Sequence, residues 1–273
     1  MDLLTVELND TQFEKISQLL YRLCGINLRT GKEELVKARL VKRLRFLGME
    51  SFDEYLRLIE EDPCGEELAL MVDALTTNKT SFFREPEHFE YLRQEVLPAL
   101  GQNRARMRFW SAGCSSGEEP FSLAMLLREE LPGLDRQDVR ILATDISVET
   151  LGKAREAVYD EEILKDVPAL LLQKYFTCTK SKPPRTYKAK ESIRKMIYFS
   201  RLNLMDAWPM RGPFDVIFCR NVMIYFDKPT QERLVNCFFE LLAPGGYLFV
   251  GHSESLAYVS HKFSYVKPAV YVR

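Results

Sequence analysis

The apolar pattern of this chain changes period near Met107, and that change limits the folds open to it more than any other feature. Before it, apolar residues recur every three or four positions; after it, short apolar runs alternate with amphipathic helices. The runs are Met107–Ser111, Val139–Thr144, Met196–Phe199, Phe214–Cys219 and Tyr247–Gly251. Such alternation builds βαβ units, in which a parallel sheet is buried between two helical layers. Two further runs, Phe263–Val266 and Val270–Arg273, read as an antiparallel edge hairpin. The predicted fold is α/β: an all-helical N-terminal domain followed by a doubly wound sheet.

The helical part carries its own start and stop signals. Thr11–Glu14 reads as a capping box, and Gly25 stands where a C-cap glycine belongs. A second helix spans Gly31 to Leu47 and stops at Gly48. Ser51–Glu54 is another capping box, with Pro63 after that helix. Residues 66–76 and about 86–100 complete the set, the last with Phe89, Leu92, Val96 and Leu100 at helical spacing. One later stretch breaks the βα rhythm: Phe176 to Arg201 holds eight basic residues, one acid and Pro183–Pro184, but no glycine. It is too polar for a core strand and reads as a small inserted excursion.

At 273 residues the chain has room for two domains. Apolar residues at 46% and charged residues at 28% exclude a disordered chain or a disulfide miniprotein. The net charge of -1 means that any affinity for nucleic acid or anionic lipid must come from a local patch. Six cysteines without a C-x-x-C pair argue against a zinc site and for free thiols. The start lacks a signal-peptide pattern, and no run approaches the ~20 apolar residues of a membrane span. A cytoplasmic location is expected. The three histidines, His88, His252 and His261, leave little for metal or triad chemistry; no metal site is expected, and His88 is expected at the surface.

The chemistry-bearing signals lie at strand ends. Phe109–Pro120 runs from strand through loop into helix, and Gly113 and Gly117 let its backbone turn sharply beside a ligand. It is neither G-x-G-x-x-G nor a P-loop. Glu118 and Glu119 would repel a pyrophosphate and welcome an ammonium. Asp145 ends the second strand, where doubly wound sheets hold ribose hydroxyls; the alternative is that it caps the next helix, which Ser147 could do as well. A ribose-bearing ligand with a cationic end and no phosphate satisfies all of these, and S-adenosylmethionine is such a ligand.

With these residues in view, the chain resembles the bacterial chemotaxis receptor methyltransferases, the CheR family, over almost its whole length. The resemblance rests on Ala74–Glu85, Ser111–Pro120, Phe218–Asp227, Pro244–Phe249 and Gly251–Glu254, in the family's order. It implies a doubly wound, Rossmann-like methyltransferase domain with a small inserted antiparallel β-subdomain at about 176–200. It also implies residues 1–76 as a helical receptor-recognition domain, 77–100 as a linker and helix serving the cofactor site, and 101–273 as the methyltransferase domain. The implied reaction moves the methyl group of S-adenosylmethionine to glutamate side chains on chemoreceptor cytoplasmic helices, leaving S-adenosylhomocysteine. Residue by residue, the resemblance assigns Asn78, Thr80 and Arg84 to a segment closing over the cofactor, and Gly113, Glu118 and Asp145 to its cradle. It places Asn203 and Leu204 beside the adenosine, Arg220 and Asn221 as cofactor-binding residues at the end of the fourth strand, and Tyr225 near the methyl group.

The residue set suits that reaction. A glutamate carboxylate is already ionised at neutral pH and is itself the nucleophile, so no general base is needed. The protein must bring the reactants into line at about 3–3.5 Å and exclude water. Arg84 is the candidate for orienting the substrate carboxylate through a forked hydrogen bond; the bland alternative is a surface pair with Glu85 or Glu87. Tyr225 could equally be a core aromatic, and Cys114 and Cys219 read as small residues packed under a cofactor.

On the second helix Val36, Leu40, Leu44 and Leu47 form an apolar stripe, and Lys32, Arg39, Lys42 and Arg43 fall on another side. With no acid on that strip, the four read as a substrate-binding face for a glutamate-bearing receptor helix rather than a solvated face. The expected partner is a chemoreceptor cytoplasmic domain, without nucleic acid or membrane insertion, and the expected state is a monomer. Two other functions fit the pattern less well. A nucleic-acid methyltransferase would use the basic 180–201 stretch, which offers only Tyr187 and Tyr198 for stacking. A non-catalytic adaptor of the same fold would have no need to keep Asn78, Arg84, Glu118, Asp145, Asn221 and Tyr225.

Overall fold

The computed structural model describes residues 6–28, 31–62, 65–76, 78–101 and 104–273. They form two compact units. The first comprises Met1–Thr77 with Asn203–Met205 and Tyr225–Asp227; the second comprises Asn78–Leu202, Asp206–Ile224 and Lys228–Arg273. Pro63 and Thr77, the expected helix stop and first linker residue, lie outside the described residues.

The first unit is built of α1 (Asp10–Cys24), α2 (Glu33–Leu47), α3 (Phe52–Glu61) and α4 (Glu66–Leu75). The capping box of α1 is not at Thr11. Asn9 accepts from the Gln12 N–H, and the Gln12 side chain accepts from the Asn9 N–H, so the helix starts two residues earlier. Gly25 ends it at φ +71°, and a Cβ there would stand 2.5 Å from Met205 Sδ. The second box is half made. Ser51 Oγ accepts from the Glu54 N–H, but the Glu54 carboxylate takes the Glu50 N–H instead. Ile16, Leu20, Val36, Leu40, Leu44, Phe52 and Tyr55 fill the core. Asn203 joins this unit by donating to Leu23 O at 2.6 Å, and Asp227 by accepting from Tyr21 Oη at 2.7 Å.

The basic strip of α2 is not free of acids. Arg43 forks onto Glu67 of α4 at 3.0 and 2.5 Å, and Tyr55 Oη donates to the same carboxylate. Arg39 donates to Leu75 O and Thr76 O, closing the C-terminal end of α4. Both arginines therefore serve the fold, while Lys32 and Lys42 are exposed. Arg43→Ala should lower stability by about 1–3 kcal/mol, because Glu67 is left half-buried without its cation. Lys42→Ala should stay within about 0.5 kcal/mol of wild type in the same thermal melt. Equal effects would return Arg43 to the solvated face.

The second unit opens with α5 (Pro86–Tyr91), which continues through a single π-helical turn at Leu92–Val96 into α6 (Leu97–Leu100). Next come β1 (Arg106–Ala112), α7 (Glu118–Glu130), β2 (Asp138–Asp145), α8 (Val148–Glu156) and β3 (Val158–Asp160). They are followed by α9 (Ala169–Tyr175), β4 (Phe176–Lys180), β5 (Thr186–Ala189), α10 (Glu191–Arg194) and β6 (Ile197–Arg201). The chain ends with β7 (Phe214–Cys219), α11 (Lys228–Leu241), β8 (Leu242–Val250), β9 (Ser264–Lys267) and β10 (Val270–Val272). The main sheet runs β6-β2-β1-β7-β8-β10-β9. Its first five strands are parallel, and β10 and β9 form the expected antiparallel edge hairpin.

The inserted β-subdomain is a three-stranded antiparallel sheet, β3-β5-β4. It begins earlier than the basic stretch, because Val158–Asp160 pairs with Thr186–Lys188. Ile197–Arg201 belongs to the main sheet, so the C-terminal part of the basic stretch is sheet edge.

The order of the main sheet places the site. The chain builds outward from β1 to β2 and β6, then returns to lay β7 on the other side of β1. The crevice at the carboxyl ends of β1 and β7 is therefore the topological switch point, where doubly wound sheets bind ligands. Register fixes the strand ends there: Ser111 pairs with Phe218, and Ala112 with Thr144. Beneath them, Trp110 is fully buried and donates from Nε1 to Thr144 Oγ1 at 2.9 Å. Phe218 stacks on Phe249 with ring centroids 4.5 Å apart.

Candidate active site

The loop after β1 is tied to the end of β2 by its own backbone. The N–H groups of Gly113 and Cys114 both donate to Thr144 O, at 2.8 and 2.9 Å. Gly113 holds φ +84°, and a Cβ there would stand 2.3 Å from Val222 Cγ2. Ser115, also at positive φ, donates its N–H to Asp145 Oδ2 at 2.7 Å and its hydroxyl to Asn78 O at 2.9 Å. Gly117 caps α7 at φ +97°, with room for a Cβ denied by Ala154 and Tyr159. The loop is therefore fixed before any ligand arrives, and the Asn78 end of the 78–85 segment is fastened to it.

Asp145 does not cap α8. Ser147 does so, accepting from the Thr150 N–H, while Asp145 Oδ1 accepts the Ser147 N–H at 2.9 Å. The carboxylate is buried at the lip of the crevice, with roughly four acceptor sites for its neighbours. Glu118 is 3% exposed, and the Ser116 hydroxyl lies 2.9 and 2.8 Å from its two oxygens. Burial pushes its carboxyl above the usual range, against the opposing pull of Ser116. A cation brought beside it would recover the charged form, which is what an ammonium group offers.

The residues after β7 form a second fixed turn. Arg220 is 5% exposed and points inward, with Nη1 donating to Glu119 at 2.9 Å and Nη2 to Glu85 at 3.1 Å and to Arg84 O. Its guanidinium also lies over the rings of Phe89 and Phe218. Asn221 takes φ +59° and donates its N–H to Glu254 Oε2 at 2.8 Å. The Glu254 carboxylate also accepts from the Gly251 and Ile224 N–H groups, at 2.6 and 3.1 Å. It thus holds the ends of β7 and β8 together.

Glu85 and Glu254 were not legible as site residues, since Arg220 and Asn221 lie far along the chain from them, and Glu119, read with Glu118 as welcoming an ammonium, is instead taken by Arg220. Burial raises the Glu85 carboxyl, but the charge and hydrogen bonds of Arg220 outweigh it, and the group ends below its usual range. The structure also corrects the bland reading of Arg84. Its guanidinium donates to Lys79 O at 2.8 Å, while the Glu85 carboxylate belongs to Arg220. His88 is not at the surface: it is 1% exposed, against Phe249 and His252. Burial pushes the Cys114 and Cys219 thiols well above their usual range, as packing residues should be.

Asn78, Thr80, Arg84, Gly113, Glu118, Asp145, Arg220 and Asn221 all fall in the second unit; Asn203, Leu204 and Tyr225 group with the first. Tyr225 is half-buried rather than core, and its carbonyl accepts the Asn27 N–H at 2.9 Å.

A doubly wound sheet with an acid-edged glycine loop at its switch point defines the class: an S-adenosylmethionine-dependent methyltransferase. A family model for the CheR methyltransferase, SAM binding domain, matches residues 78–272, and one for the CheR methyltransferase, all-alpha domain, matches 11–76. The chain is 42% identical over 257 residues to the chemotaxis protein methyltransferase of Klebsiella aerogenes, covering 94% of this chain and 87% of that one. It is 44% identical over 262 residues to chemotaxis protein methyltransferase 2 of Pseudomonas aeruginosa, covering 95% and 91%. Against the chemotaxis protein methyltransferase of Escherichia coli it is 40% identical over 265 residues, covering 97% and 91%. The chain belongs to the CheR methyltransferase family. No helix among the described residues is long and apolar enough to cross a membrane.

Proposed function

We propose that this methyltransferase converts glutamate side chains on chemoreceptor cytoplasmic helices to methyl esters, in the cytoplasm. The observation that carries the reading is the pair of buried carboxylates, Asp145 and Glu118, fixed on one glycine loop at the switch point. Asp145 suits ribose hydroxyls and Glu118 suits the ammonium of S-adenosylmethionine. The bound cofactor supplies an electrophilic methyl group on a sulfonium, a good leaving group.

The chain's own residues then have three tasks. Gly113 to Gly117 hold the cofactor end in place without rearrangement. Asn78, Thr80 and Arg84 close the crevice and exclude water, the fastening of Asn78 to Ser115 giving that segment a fixed root. Arg84 meets the incoming carboxylate, held loosely enough that the nucleophile is not over-stabilised. Arg220 acts as a positioning residue, holding Glu119 and Glu85, and Asn221 is set by Glu254. Asn203, Leu204 and Tyr225 carry their roles by the family pattern alone.

Arg84→Ala should therefore lower turnover more than it lowers cofactor affinity. Single-turnover kinetics beside calorimetry would separate the two, and a matched loss would make Arg84 a cofactor clamp only. Because the substrate carboxylate is ionised far below neutrality, the rate per receptor concentration at saturating cofactor should be flat from about pH 6 to pH 9. A rise through that window would reveal a general base and contradict the mechanism.

For the receptor contact, the exposed Lys32 and Lys42 of α2 remain the basic candidates, with Arg45 beside them. An acidic receptor helix complements such a face.

A further inference from the structure

Glu85, already bonded to Arg220, converges with His88 and His252, to which no role has been given. Glu85 and His88 stand at i and i+3 across the start of α5, and His252 follows β8. One potential ligand atom from each lies within 4.8 Å of the others. The two imidazole rings meet at a centroid distance of 4.7 Å, and His88 Nδ1 is 3.3 Å from Glu85 Oε2.

His88 is the unusual member. It is 1% exposed, yet neither of its ring nitrogens has a hydrogen-bond partner. An imidazole carries two polar nitrogens, and burying either without a partner forfeits its hydration with nothing in return. A buried polar group left in that state calls for a further species, an ion or a water, to complete it. Glu85 and Glu119 share the guanidinium of Arg220, and Lys267 also bears on His88, so the local charge is balanced and the donor set itself is what points to a metal. His252 is exposed, which gives a route of entry and leaves one coordination position open to solvent.

We propose that Glu85, His88 and His252 form a binding site for a divalent first-row transition metal, zinc by preference. Two imidazoles and one carboxylate are the donor set that zinc accepts with an open fourth position. The set is too poor in oxygen for calcium or magnesium. Zinc draws its ligands to about 2.0–2.2 Å, so the triad must close on the ion. His252, at the surface, is the member free to move. Glu85 Oε2 both accepts from Arg220 at 3.1 Å and faces His88 Nδ1, while Oε1 accepts from Asn221 Nδ2 at 3.3 Å and from the His252 N–H at 3.4 Å. The metal therefore takes a further lone pair of a carboxylate that has about four acceptor sites.

Cobalt(II) is the probe, titrated into tag-free, metal-stripped full-length protein. A visible d–d absorption should saturate at a 1:1 ratio, without a thiolate charge-transfer band, and zinc should displace it. Zinc should also raise the melting temperature of the wild type by mass action on the folded state. His252→Ala removes a surface ligand without opening the core, and it should weaken cobalt binding by more than about 10-fold and abolish the zinc-dependent melting shift. His88→Gln should do the same if it folds; the test does not depend on it. Absence of cobalt absorption, binding that survives in His252→Ala, or a thiolate band placing the metal on a cysteine would each overturn the proposal.

Discussion

Arg220→Ala is expected to lower the unfolding free energy by about 3–5 kcal/mol, the usual cost of removing one partner from a buried charge pair. The guanidinium is 5% exposed and joins Glu85, Glu119 and the Arg84 carbonyl, so its loss leaves two inward-facing carboxylates without a cation. Glu119 would keep only the Ser111 hydroxyl, at 2.6 Å, among the side-chain bonds described for it. Arg220→Lys should recover part of the loss, since one ammonium cannot reproduce a fork that spans two carboxylates. Adding Glu85→Gln to Arg220→Ala should recover another part by removing one stranded charge. That makes the two sites non-additive in a double-mutant cycle. Urea unfolding reads these three variants and the Glu85→Gln single variant that the cycle requires. A loss below about 1 kcal/mol for Arg220→Ala would mean that water already reaches this network.

The second large effect concerns cofactor affinity. Asp145→Ala should weaken S-adenosylmethionine binding by about 1.5–3 kcal/mol, the range for hydrogen bonds to a charged group. That corresponds to about 10- to 150-fold in dissociation constant. Two causes act together. The carboxylate that would meet the ribose is gone, and the Ser115 and Ser147 N–H groups lose their acceptor. Asp145→Asn separates them, because an amide oxygen can still accept one of those N–H groups while the charge is lost. If Asp145→Asn binds like wild type and only Asp145→Ala fails, the residue shapes the loop rather than holding the ligand. Calorimetry with S-adenosylmethionine and S-adenosylhomocysteine measures both variants.

How much of this could be read from residues alone depended on how far apart the interacting groups lie. The placement of Gly113, Glu118 and Asp145 was legible because each sits at a strand end or a helix start, whereas the bond from Ser115 that ties Asp145 to the glycine loop spans 30 residues and was not. The strands β1, β2 and β7 were legible as short apolar-rich runs, each carrying a single charge within it at Arg108, Arg140 or Asp215. The first residues of β8 were not, since Pro244-Gly245-Gly246 interrupts the run while its backbone still continues the strand. The strand β3 was missed because three residues carry no period, and its pairing with β5 is decided by a segment about 28 residues later.

The same reason hid the ion pairs. Arg43 meets Glu67 24 residues away, and Arg220 meets Glu119 and Glu85 at separations of 101 and 135 residues. A helical wheel shows which charges share a face, but not what another helix presents to it. His88 looked exposed amid charged neighbours, yet Phe249 and His252, brought over by β8, bury it. In the first turns of α1 and α3, capping boxes were recognised by type and mislaid by two residues or by a partner. Side-chain reach at a helix start allows neighbouring acceptors to compete.

The reaction itself is the most direct test. Purified chain, methyl-tritiated S-adenosylmethionine and a chemoreceptor cytoplasmic fragment should give label on the fragment that mild base releases as volatile methanol, the behaviour of a carboxyl methyl ester. Asp145→Ala should lose that transfer at low cofactor and regain it at high cofactor. Label that resists base, or that appears on nucleic acid instead of the receptor fragment, would contradict the account.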